Sequence, residues 1–153
     1  MISIGIDPGV NGGVCILDTK ARSTMNNTTI HTIKCPQTVK DMADYLAVKV
    51  WDSKQSLCYI EKVHSFPGQG VVSTFTFGKN YGQWLGILAS LDIPYIEVPP
   101  KKWMKFYGDM PKDKKERKNH LKHIAQGILP EVNVTLYIAD AILLANYCRR
   151  QYS

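Results

Sequence analysis

Three carboxylates stand out in this 153-residue chain because each ends or interrupts an apolar run. Asp7 closes "ISIGID" just before Pro8-Gly9, Glu61 follows Tyr59-Ile60 in "CYIEKV", and Asp140 opens "DAILLA". Burying an unpaired charge is costly, so an acid in such a stretch needs a reason. If the segments carrying Asp7 and Glu61 are neighbouring strands and a helix lays Asp140 across them, three carboxylates meet and repel unless a cation neutralises them. Hard divalent ions such as Mg²⁺ take oxygen ligands and keep waters for a substrate phosphate. Two such ions, roughly 3.5–4 Å apart, activate a water and stabilise the leaving oxygen in phosphodiester hydrolysis. Plainer readings stay open at this point. Asp7 also suits a Pro-Gly turn, Glu61 a lysine partner on a sheet edge, and Asp140 the start of a helix, where its charge favours the dipole.

The elements that would position these acids follow from pattern. "ISIGI" (2–6) and "GGVCILD" (12–18) are β-branched runs separated by the turn "DPGVN", which reads as a hairpin, and 28–35 is a third antiparallel strand. Apolar residues at helical spacing predict helices over 38–51, 71–91, 114–129 and 137–150, with Ser73 or Thr74 as a cap for the second. Strands are predicted at 57–63 and 94–100, the latter stopped by two prolines. A meander followed by βαβ crossovers implies an α/β protein, with one mixed five-stranded sheet flanked by helices. At this length a single domain over 1–153 is expected.

The net charge of +6 has an address. Residues 101–123 hold nine Lys/Arg and three acids, while the remainder holds ten of each sign. Such a block on a neutral body is either a solvated helix face or a footprint for a phosphate backbone. The four cysteines (Cys15, Cys35, Cys58 and Cys148) are scattered without a CxxC pair, which argues against structural zinc and for reduced thiols. No apolar run is long enough to span a membrane and no targeting segment is visible. The expected setting is cytoplasmic.

"IGIDPGVNGGVCILD" resembles the first motif of RuvC-type Holliday junction resolvases, of the RNase H-like superfamily. "YIEKVHSFPGQGVVSTFTFGKNYGQWLGIL" is similar to the second motif of the bacterial, phage and organellar branch. "IPYIEVPPKKWMKFYG" and "DAILLANYCRR" resemble its following strand with Pro-x-x-Trp and its closing helix. The resemblance implies an RNase H-like fold, a homodimer, and Mg²⁺-dependent paired nicking of four-way DNA junctions, with Mn²⁺ able to substitute. It carries over Asp7, Glu61 and Asp140 as catalytic metal ligands. The family's further acid or His just before the last position has no counterpart among Thr135, Leu136, Tyr137 and Ile138; Asp113, His120 and His123 are conceivable substitutes. Rival readings are an actin-type phosphotransferase, a junction-binding protein with weakened catalysis, and another RNase H-like nuclease.

A resolvase must grip branched DNA. Gly68 and Gly70, with Gln69 between them, would let backbone approach phosphate closely, and Phe66 would wedge at exposed bases. Ser73 and Lys79 would touch phosphate from a helix start. Trp103 with Lys101, Lys102 and Lys105 suits backbone tracking, with packing as the alternative for the tryptophan. Lys112, Lys114, Lys115 and Arg117 belong to the basic block. Phe75, Phe77 and Tyr81 are expected in the core with Trp84 and Leu85.

Overall fold

The structure, a computed structural model, describes residues 1–19, 28–65 and 67–152; Phe66 lies outside them. The first three strands form the expected meander: β1 (Ile2–Asp7), β2 (Gly13–Thr19) and β3 (Thr28–Lys34), paired antiparallel. After helix α1 (Val39–Lys49), strand β4 (Ser56–Glu61) crosses back to lie parallel to the free side of β1. Helix α2 (Val71–Ser90) then leads to β5 (Tyr95–Val98), parallel to β4. The order β3-β2-β1-β4-β5 makes a mixed five-stranded sheet. Three further helices follow, α3 (Pro100–Phe106), α4 (Lys114–Ile128) and α5 (Ala139–Gln151).

Strand alternation divides the core into two layers. Ile2, Ile4, Ile6, Val14, Ile16, Cys58 and Ile60 pack on α1 and α2 through Met42, Leu46, Trp84 and Leu88. Cys15, Leu17 and Tyr59 face α3, α4 and α5. On that second side α5 runs directly over β1. A Cβ on Gly5 would lie 2.1 Å from the Ala141 carbonyl oxygen and 2.4 Å from the Ala145 nitrogen, so only glycine permits the helix to sit so low.

Local chemistry explains the helix starts. Thr38 caps α1 by accepting from the Asp41 amide, and Asp113 caps α4 by accepting from the Glu116 amide. Helix α2 differs from expectation: Gly70 is its N-cap, Ser73 and Thr74 lie inside it, and the Thr74 hydroxyl donates back to the Gly70 carbonyl. The prolines at 99–100 end β5 and also begin α3, a helix the sequence reading missed; Pro100 needs no amide partner in a first turn. Phe75 is 73% exposed rather than core. The buried stripe of α2 runs through Asn80, Trp84, Ile87 and Leu88, and Phe75 sits half a turn away from Trp84. No helix among the described residues is long and apolar enough to cross a membrane.

Candidate active site

Two neighbouring strands deliver the first two acids. Ile6 pairs with Ile60 across the parallel β1–β4 ladder, so the next residue of each strand is an acid. Alternation from Gly5, which faces α5, points Asp7 the same way, with Glu61 beside it. Asp140 arrives from the first turn of α5 and is only 2% exposed. The three acids are close enough that each of Asp7 and Glu61 feels the charge of Asp140, and Asp7 also that of Glu61.

Each of these acids has its own support. The turn after Asp7 is stapled by α2, where Asn80 accepts from the Gly9 amide at 2.7 Å. That amide is thereby committed, which speaks against a phosphate loop at this turn. The Trp103 indole donates from Nε1 to Glu61 Oε2 at 2.8 Å. Lys118 of α4 forms an ion pair and hydrogen bond with Asp140 Oδ2. The other carboxylate oxygen, Asp140 Oδ1, is buried with no hydrogen-bond partner among the described residues.

This crowding sets the ionisation. Burial pushes the Asp7 carboxyl well above the usual carboxylate range; the charges of Asp140 and Glu61 add to the rise and Lys118 opposes it. Glu61 is raised to about 7, first by burial and then by Asp140, against the lowering effects of the Trp103 hydrogen bond and of Lys118. Lys118 is held above its ordinary value, since the pull of Asp140, Asp7 and Glu61 outweighs its burial. The carboxylates are therefore short of positive charge.

A divalent cation is the natural complement. Three carboxylates without thiolate or imidazole are an oxygen donor set of the kind Mg²⁺ and Mn²⁺ take, and among the described residues no group answers Asp140 Oδ1. Among the described residues no group of three His, Cys, Asp or Glu side chains is arranged to hold a metal ion, and Lys118 is paired with Asp140 Oδ2. An ion would take the free Oδ1, or displace the ammonium.

Among the described residues no expected substitute completes a metal-ligating group with the acids. Thr135, Leu136 and Tyr137 are exposed, and the Tyr137 ring lies under the Lys34 ammonium, 4.1 Å from its centroid. Ile138 is in the core. Asp113 caps α4, His123 is exposed, and His120 is two residues from Lys118, on a different face of the helix. Lys118 is a residue the sequence reading missed. It is one cation among nine, and helical phase narrows the choice: Leu121 and Ala125, three and seven residues on, are fully buried, and Arg117 and Lys122 nearly share that phase.

The expected DNA-contact residues divide. Gly68 has φ +83 and sits with Gln69 and Gly70 in the exposed loop before α2, where Ser73 and Lys79 are also exposed. Lys101, Lys102, Lys105, Lys112, Lys114 and Lys115 are exposed on α3, on α4 and between them. A cleft of about 540 Å³ separates these helices, lined by Lys101, Lys105, Lys112 and Arg117 with Met104 and Met110. Arg117 is half-buried and donates from Nη1 to the Pro111 and Lys112 carbonyls, so it shapes the cleft. Trp103 departs from the expected DNA contact: it is fully buried and its one polar atom is turned to Glu61.

No protein-family model and no curated protein sequence matches the chain. Solved structures do. RuvC of Thermus thermophilus is 17% identical, with 99% of this chain covering 96% of that one at a TM-score of 0.63. The same protein in complex with a Holliday junction substrate is 16% identical over the same shares, with a TM-score of 0.64. The fowlpox virus Holliday junction resolvase is 16% identical, covers 99% and 96%, and has a TM-score of 0.51. The mixed five-stranded sheet with its flanking helices is thus the RNase H-like fold of the RuvC-type Holliday junction resolvases.

Proposed function

We propose that this protein is a metal-dependent endonuclease that resolves four-way DNA junctions by paired nicks, acting as a homodimer. The observation that carries the reading is the meeting of Asp7, Glu61 and Asp140 with the buried Asp140 Oδ1 left unanswered among the described residues. The fold shared with a resolvase solved on its junction supports the substrate.

Within this reading the chain's own groups divide the work. Asp7, Glu61 and Asp140 would hold Mg²⁺ or Mn²⁺. Such an ion, when bound, would supply Lewis-acid stabilisation of the phosphodiester and lower the pKa of an attacking water. Trp103 keeps one oxygen of Glu61 engaged and leaves the other for coordination. Lys118, with 40% of its side chain exposed, brings a positive charge to the place where the phosphodiester must sit. The lysines of α3 and α4 follow the backbone of a duplex arm, and the loop at 67–70 reaches the branch point.

The outer face of α2 supports the dimer. Gly78, Gly82 and Gly86 recur every four residues, and a Cβ on any of them would meet nothing within 4 Å. Exposed mid-helix glycines cost roughly 0.5–1 kcal/mol each relative to alanine, with no return inside one chain. Val71 and Phe75 lie on the same face, 85% and 73% exposed. A second copy crossing closely here would use the glycines and cover the apolar residues. Gly82→Leu should convert a dimer to a monomer by light scattering.

The deciding experiment is nicking of a four-way junction with Mg²⁺ and with EDTA. Wild type should cut only with the ion. Asp7→Asn, Glu61→Gln and Asp140→Asn should each nearly abolish cutting while junction binding in EDTA persists or tightens. Normal cleavage by Asp140→Asn would overturn the site. One observation favours a second reading, a junction-binding protein with weakened catalysis: no acid stands at 135–138. Tight junction binding without cutting in either Mg²⁺ or Mn²⁺ would select it.

A further inference from the structure

Four hydrogen bonds close a ring around the turn that follows Asp7. The Gly9 amide donates to Asn80 Oδ1 at 2.7 Å, and Asn80 Nδ2 donates to Cys35 Sγ at 3.4 Å. The Cys35 amide donates to the Gly12 carbonyl at 2.9 Å, and the Gly12 amide returns to the Gly9 carbonyl at 2.9 Å. The ring joins the β1–β2 turn, the segment leaving β3, and α2. Asn80 and Cys35 are 8% and 6% exposed, so water does not compete for these bonds. Cys35 Sγ completes its own pairing by donating to the Pro36 carbonyl. Phe77, also on α2, closes the turn from the side. A Cβ on Gly9, whose φ is +109, would lie 2.9 Å from its ring.

We propose that Asn80 is a positioning residue for Asp7, acting through the Gly9 amide, with Cys35 fixing the orientation of the Asn80 amide. This rests on the reading of Asp7 as a working carboxylate. An amide has one acceptor end and one donor end. With the Nδ2 end on the sulfur, only Oδ1 can face Gly9. Because α2 is a twenty-residue helix buried along its inner face, the turn inherits a rigid reference two residues from the carboxylate. A free Pro-Gly turn would let Asp7 wander, and misplacement of a reacting group by about 1 Å costs on the order of 100-fold in rate.

The test uses the whole protein and three variants. Asn80→Leu keeps the packing and removes both bonds; Cys35→Val removes the acceptor for Nδ2; Cys35→Ser restores one. Asn80→Leu should lower the single-turnover nicking rate by about 10- to 100-fold with junction affinity in EDTA unchanged. Cys35→Val should show a smaller loss that Cys35→Ser recovers. Amide hydrogen exchange gives a readout independent of cutting. The Gly9 amide should lose protection in Asn80→Leu while Ile4 and Ile6 of β1 stay protected, and the Asp7 side-chain carboxyl ¹³C shift should move. Wild-type rate and wild-type Gly9 protection in Asn80→Leu would overturn the proposal, as would uniform loss of protection along β1, which marks a merely structural role. Should Asn80→Leu fail to fold, the Cys35 pair decides: equal behaviour of Val and Ser overturns it. If wild type cuts no junction, the nuclease reading fails, while Gly9 exchange and the Asp7 shift still judge the clamp.

Discussion

Replacing Trp103 with Phe removes the Nε1 donor from Glu61 Oε2 and keeps most of the buried ring. A hydrogen bond to a charged group is worth about 1.5–3 kcal/mol, and about 1.4 kcal/mol corresponds to one pKa unit. The indole lowers the Glu61 pKa, so its loss should raise Glu61 by about one to two units from the present value of about 7. At pH 7 the ionised fraction would fall from about half to between about one-tenth and one-hundredth. A cation that needs the carboxylate must then displace a proton, and its apparent affinity should drop by about 5- to 50-fold. The assay is a Mn²⁺ titration followed by calorimetry at pH 7 and again at pH 9, with a thermal melt to confirm folding. The loss should be present at pH 7 and largely relieved at pH 9. An unchanged midpoint at pH 7 would refute the reasoning; a loss equally large at pH 9 would place the effect in orientation and not in ionisation.

The raised carboxyls give the metal-free protein a pH signature. For Glu61 the folded value of about 7 exceeds the ordinary 4.5, so its stabilising contribution is complete below about 4.5 and is lost as pH rises through 7. Urea melts in EDTA should therefore show about 2–3 kcal/mol less stability at pH 7.5 than at pH 4.5, and Glu61→Gln should flatten that slope; equal stabilities would count against the buried cluster. Lys118→Met leaves the Asp140 carboxylate buried without its partner. It should destabilise the metal-free protein by about 1–3 kcal/mol, below the fully buried range because the lysine is part exposed, and unchanged urea midpoints would remove Lys118 from the site. Replacing Lys112 and Lys115 with Ala should weaken binding to all DNA and flatten its log–log salt dependence by roughly one unit per lost phosphate contact; an unchanged slope would return the basic block to a solvated face.

What the sequence made legible and what it hid follow one physical line. Glu61 and Asp7 could be read because a strand in an apolar run exposes its exceptions, and the hairpin and crossover rules then put those strands side by side. The helix α3 was hidden because Pro-Pro reads first as the end of a strand, although proline is equally at home in a first helical turn. With α3 unseen, Trp103 could only be weighed by its lysine neighbours, and its true partner is 42 residues away. Lys118 was hidden by its own kind: in a block of nine cations, charge carries no address, and the helical phase of Leu121 and Ala125 picks out Arg117 and Lys122 along with it. Asn80 is the converse case, a polar side chain on the buried stripe of α2 that helical phase with Trp84 marks as needing partners. In all three the missing information was a long-range hydrogen bond, and each of those bonds ends on one of the acids or on the turn beside it. The acids are conspicuous in the sequence because they are exceptions to local pattern. Their supports are drawn from residues that look ordinary where they stand, and only the fold that brings β1, β4 and α5 together gives those residues a role.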